Sequence, residues 1–135
     1  MTTPNFLQSS IYVAFGGAIG AWLRYLVGRT WMRAIGLIAA TAFPWATLTV
    51  NFLGSFAMGV LAGWLARYGQ GGEGWRLLLG VGVLGGFTTF SAFSLEIVDM
   101  ANRGAFATAA IYISVSLAGG ILGLFAGLLV MRVAA

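Results

Sequence analysis

The stretch VGVLGGFTTFSAFSLE, residues 81–96, sets glycines and hydroxyls inside an otherwise apolar run. Gly80, Gly82, Gly85 and Gly86 crowd its start, and Thr88, Thr89, Ser91 and Ser94 follow. Each glycine weakens a helix interior by about 1 kcal/mol relative to Ala. An opened helix in hydrocarbon leaves amides and carbonyls unpaired unless they line a cavity, meet protein or bind something. A glycine-weakened, hydroxyl-rich centre in a membrane segment therefore reads as an ion site rather than an anchor.

Other polar residues are spaced to join it. Thr47, Asn51 and Ser55 stand at i, i+4 and i+8, and so do Thr108, Tyr112 and Ser116. Each set stacks on one helix face. Two such stripes suggest a shared wet seam, although hydrogen bonding between helices explains Ser and Thr equally well. Asn51 favours the seam, because a primary amide is costly in hydrocarbon and carries two N–H donors. Phe90 and Phe93 share a face at i and i+3. Apolar packing is the ordinary reading of that pair. The alternative is that their ring edges, which carry positive potential, meet an anion. Glu96 and Asp99 lie near the end of the same segment, where an ion pair with Arg24 or solvation at a helix end accounts for them. Nothing points to catalysis: there is no Ser/His pair, metal-ligand cluster or phosphate loop.

The elements that position these residues follow from composition. Of 135 residues, 60% are hydrophobic and only 7% charged. Residues 1–23, 35–66, 77–95 and 104–131 lack charge, and each can supply the ~20 residues of a spanning helix. The expectation is a single all-α domain over residues 1–135, an integral membrane protein of four transmembrane helices. Helix 1 is expected over residues 8–27, and residues 30–43 as a short apolar connection or interfacial turn. Pro44 fits the first turn of helix 2, which runs to about Leu65. Residues 70–74 form a polar turn. Helix 3 spans about residues 75–101, residues 102–104 turn, and helix 4 fills the remainder. The first window lacks the preceding Lys or Arg of a cleavable signal. Absence of Cys excludes thiolate metal sites, and absence of His removes the usual proton shuttle. The net charge of +4 comes from scattered Arg, with no basic stripe for nucleic acid. Small residues recur every fourth position, as at Gly16 and Gly20, Ser55, Gly59 and Gly63, and Gly119, Gly123 and Gly127. Such faces let helices approach closely in lipid.

Three motifs carry a resemblance: GGAIGAWLRY (residues 16–25), PWATLTVNFLG (residues 44–54) and GGFTTFSAFSLE (residues 85–96). They resemble the Fluc family of fluoride channels, also called CrcB proteins, over essentially the whole chain. The TTFSxFSxE string is the most specific part. The resemblance implies a dual-topology, antiparallel homodimer with two fluoride pores and a third helix broken at its centre. It also implies a structural sodium ion at the two-fold axis, held by the backbone carbonyls of Gly85 and Thr88 from both copies. Carbonyl oxygens are hard ligands that suit such a cation. Fluoride is implied to pass Asn51, Phe90 and Phe93, with Thr47 and Ser116 as polar pore positions and Tyr112 and Arg24 near the aqueous vestibules. Three positions depart from similar members. Ala46 replaces a Gly, Ala92 replaces a Thr between the two phenylalanines, and Gly120 stands where a Ser occurs.

The reading is a passive, fluoride-selective channel, not an enzyme, in a bacterial cytoplasmic (inner) membrane. Its partners are fluoride, membrane lipid and a second copy of itself. A small drug/proton antiporter is the alternative, but helices 1 and 2 contain no acid. A third reading, a non-transporting assembly subunit, rests on the small-residue faces alone.

Overall fold

A computed structural model describes residues 4–69 and 72–133. Gln70 and Gly71 of the expected polar turn lie outside the described residues. Among the described residues, four segments are long and apolar enough to cross a membrane: Phe6–Ala42, Trp45–Tyr68, Glu73–Asn102 and Phe106–Val133.

Helix α1 (Phe6–Ala42) opens on a capping box. The Asn5 side chain accepts from Gln8 N at 2.9 Å, and the Gln8 side chain accepts from Asn5 N at 3.1 Å. Two otherwise unpaired donors are thereby satisfied. The helix does not stop near Val27, so the connection expected over residues 30–43 is corrected. Its first part is helix, held by tertiary contacts. Trp31 stacks on Trp45 with ring centroids 5.6 Å apart and donates its indole N–H to Thr49 Oγ1 at 3.1 Å. The interruption falls at Gly36, whose φ of 79° and ψ of 163° suit only glycine.

Helix α2 (Trp45–Tyr68) begins immediately after Pro44, which stands at the cap rather than inside the first turn. The third span comprises several pieces. A short α3 (Glu73–Trp75) leads into a π-helical stretch, Arg76–Leu84, then α4 (Gly85–Phe87) and α5 (Phe90–Asn102). Thr88 and Thr89, between α4 and α5, have extended backbone, at φ −81°, ψ 160° and φ −152°, ψ 123°. Gly104, at φ 74°, makes the turn into α6 (Phe106–Val133).

Small residues let these backbones touch. A β-carbon on Gly82 would stand 2.9 Å from Gly16 Cα, so α1 and the π stretch meet main chain to main chain. A β-carbon on Gly127 would stand 3.0 Å from Gly59 Cα, where α2 and α6 pack along their length. Close backbone approach substitutes for the hydrophobic drive that lipid does not provide. A separate apolar cluster, Phe93, Met100, Ala109 and Tyr112, joins α5 to α6 beneath Phe43.

Candidate functional site

Thr88 N–H still bonds Leu84 O at 3.0 Å, but at Thr89 the chain leaves the helix and its backbone groups need other partners. Asn51, one helix away, provides them for Thr89. Thr89 N donates to Asn51 Oδ1 at 2.8 Å, and Asn51 Nδ2 donates to Thr89 O at 3.1 Å. The side chain of Thr89 caps α5 by accepting from Ala92 N at 3.2 Å. Thr88 folds its hydroxyl back onto Leu84 O at 2.9 Å. The Thr88 carbonyl faces Arg24 Nη1 at 3.5 Å.

A cavity of about 290 Å³ opens beside this link. Asn51 and Ser55 of α2, Thr88 and Thr89 of the link, Phe90 and Phe93 of α5, and Ser116 and Gly120 of α6 all line it. Phe90 and Phe93 have ring centroids 5.7 Å apart and planes tilted by 41°. They differ sharply in surroundings: Phe93 is 8% exposed and Phe90 77%. The Ser116 hydroxyl is buried and meets no hydrogen-bond partner.

Thr47 and Tyr112 stand apart from that cavity, around Glu96. Thr47 Oγ1 donates to Glu96 Oε1 at 2.6 Å, and Tyr112 OH donates to Glu96 Oε2 at 2.7 Å. Tyr112 is fully buried and packs against Phe93 with centroids 5.1 Å apart. Glu96 also borders a second cavity, of about 540 Å³, with Asp99, Asn102 and Arg103 at its rim. Phe93 and Tyr112 thus stand between a mid-span cavity and an end cavity.

The structure brings Asn51, Phe90, Phe93 and Ser116 to one cavity, and Thr47 and Tyr112 to one carboxyl group. Arg24 belongs with neither acid; it lies at the helix link. Of the two arrangements expected for Glu96, an ion pair is not found among the described residues, while the half-buried carboxyl does border the cavity at the helix end. The carboxyl is held by two hydroxyls. The role of Thr89 in gripping Asn51 had no signal beyond its place in the TTFS string. Among the described residues, no group of three or more His, Cys, Asp or Glu is arranged to hold a metal.

Comparison with known proteins agrees with the three motifs. The family described as CrcB-like protein, Camphor Resistance (CrcB), matches residues 11–128. A protein named fluoride-specific ion channel FluC from Novosphingobium aromaticivorans is 54% identical over 126 residues, covering 93% of this chain and 98% of its own length. Proteins of the same name from Erythrobacter litoralis and Caulobacter vibrioides are 52% and 51% identical, covering 98% and 93% of this chain and 98% and 97% of their own lengths. With the family match spanning all four helices and relatives aligned nearly end to end, this chain belongs to the CrcB family.

Proposed function

We propose that this protein is a passive, fluoride-selective channel of a bacterial inner membrane that lets fluoride leave the cytoplasm. The observation that carries the reading is the mid-span cavity where Asn51, two phenylalanines and the free Ser116 hydroxyl converge. Relatives at about half identity are named for fluoride channels. A weak acid explains the need. HF enters from acidic surroundings and dissociates in the more alkaline cytoplasm, and the negative-inside potential then drives fluoride out through any selective path.

The chemistry available to a dehydrating anion is specific. Asn51 spends one amide N–H on Thr89 O and retains a second. Ser116 offers an O–H, and Phe90 and Phe93 offer ring edges of positive potential. Fixed donors in a narrow path replace the hydration shell, which is how such pores select. Thr47 and Tyr112 act at the neighbouring Glu96 carboxyl, and Arg24 places positive charge beside the link.

The proposed assembly is an antiparallel homodimer with two pores. Phe90 supports it: a 77% exposed ring beside the mid-span cavity leaves one wall of that cavity open in a single chain. Charge supports it too. With four spans, Arg24, Arg29, Arg33 and Arg103 fall on one side and Arg67, Arg76 and Arg132 on the other, four against three. Orientation follows Lys/Arg bias, and a chain with so little bias inserts both ways. Single cysteines placed in the α1–α2 and α2–α3 connections should each label partially with an impermeant reagent in intact cells. Full labelling at one and full protection at the other would exclude dual topology.

A sodium ion is proposed where two links meet. In a continuous helix Gly85 O would accept from Thr89 N, but that N–H goes to Asn51. The Thr88 carbonyl has only Arg24 Nη1 at 3.5 Å, beyond the usual bonding range. Gly85 and Thr88 carbonyls therefore fit a hard cation, with the other ligands supplied by a second copy. The bound ion would neutralise carbonyl dipoles converging at the interface.

Reconstituted liposomes test the reading. They should release fluoride rapidly without a coupled proton or cation, and chloride far more slowly. Equal rates for the two anions, or no fluoride release, would overturn it.

A further inference from the structure

The hydrogen-bond donors facing the mid-span cavity can be counted one by one. The Thr88 hydroxyl is taken by Leu84 O at 2.9 Å. Thr89 Oγ1 is engaged with Ser91 Oγ at 3.3 Å and with Ala92 N. Asn51 has given one of its N–H groups to Thr89 O. The second Asn51 N–H and the unpartnered Ser116 hydroxyl remain. Beside them stands Ser55, a half-buried residue one helical turn beyond Asn51 on the same face of α2.

Serines within helices can give the hydroxyl to the carbonyl four residues back. Ser10, Ser94 and Ser114 do so here, to Phe6, Phe90 and Ala110, at 2.8 to 2.9 Å. Ser55 lines the cavity, and among the described residues its hydroxyl makes no such bond to Asn51 O. The wall opposite explains how it keeps room. Gly120 of α6 has no side chain, and a β-carbon placed there would stand 3.5 Å from Ser55 Oγ, at ordinary van der Waals contact. The hydroxyl therefore occupies a gap between α2 and α6, wide enough on the Gly120 side for one more small side chain.

We propose that Ser55 is an anion-contacting residue, its O–H donating to fluoride in the cavity below Asn51 and Phe93, with Gly120 leaving the space in which it turns. This rests on the fluoride-channel reading above. An anion leaving the remaining Asn51 N–H would meet Ser55 and Ser116 on facing helices, and the two hydroxyls would share it.

Fluoride efflux from liposomes tests this with two variants. Loss of one hydrogen bond to an ion is expected to slow flux by about tenfold in Ser55→Ala. Adding Gly120→Ser to that variant returns a hydroxyl to the same gap from the other helix, and should recover most of the rate. Size-exclusion profiles confirm that both variants assemble. Wild-type flux in Ser55→Ala overturns the proposal, and so does a double variant as slow as the single one, because a packing role would not be restored by a hydroxyl on α6. Wild-type protein that passes no fluoride in the same assay sinks the channel reading itself, a different result from either.

Discussion

Asn51 and Thr89 pair through two hydrogen bonds, at 2.8 and 3.1 Å, as two backbone units would in a sheet. The amide fills the bonding capacity of a residue that has left its helix. One side chain thereby stabilises the link and presents its remaining N–H to the adjacent cavity.

Asn51→Asp keeps the size and abolishes the donor. A carboxylate would face the Thr89 carbonyl, and negative charge would enter the cavity. Fluoride flux should fall by at least about tenfold, since a hydrogen bond to a charged group is at stake, while the protein still assembles. Liposome efflux together with a size-exclusion profile checks this; unchanged flux would remove Asn51 from the pathway.

Phe90 and Phe93 should separate conduction from packing. Phe93 is buried, so Phe93→Ile should cost about 1 kcal/mol of stability as well as flux. Phe90 is 77% exposed within one chain. Phe90→Ile should therefore leave the fold of the chain intact and still slow fluoride. Matched losses of flux and of dimer stability at Phe90 would reduce it to interface packing.

Thr47 and Tyr112 share the Glu96 carboxyl, at 2.6 and 2.7 Å. Thr47→Val and Tyr112→Phe should each destabilise the protein by about 1–3 kcal/mol, because the carboxyl loses a buried partner. The two losses should not add, since the groups act on one acceptor. Unfolding of both single variants and the double variant measures the coupling; strict additivity would mean the two hydroxyls act independently.

Gly85 tests the sodium proposal. A β-carbon there meets only Gly80 O, at 3.7 Å, so a single chain tolerates a side chain. Gly85→Val should nevertheless disrupt dimer assembly, whereas Thr88→Ser, which leaves the carbonyl in place, should be mild. Cross-linking in sodium and in sodium-free buffer provides the readout. A Gly85→Val dimer that forms normally in both would argue against carbonyl ligation at this position.

Much of this architecture is legible in the chain itself. Apolar windows longer than a bilayer is thick place four spans, since only length and composition decide that. The glycines and hydroxyls of residues 80–94 mark where the third span departs from regular helix, because their cost to a helix is local. The i, i+4 stripe through Thr47, Asn51 and Ser55 also follows from helical period alone. What joins those stripes was decided by tertiary structure. Asn51 reaches a backbone 38 residues away, Thr47 a carboxyl 49 residues away, and Arg24 a carbonyl 64 residues away. No local period encodes which faces of two helices meet. The same reason explains why α1 continues past Val27 to its interruption at Gly36: Trp31 is anchored on Trp45 and Thr49 of the next helix. Periodicity assigns residues to faces, whereas close packing of glycine against glycine sets helix rotation and depth, and with them which polar groups become partners.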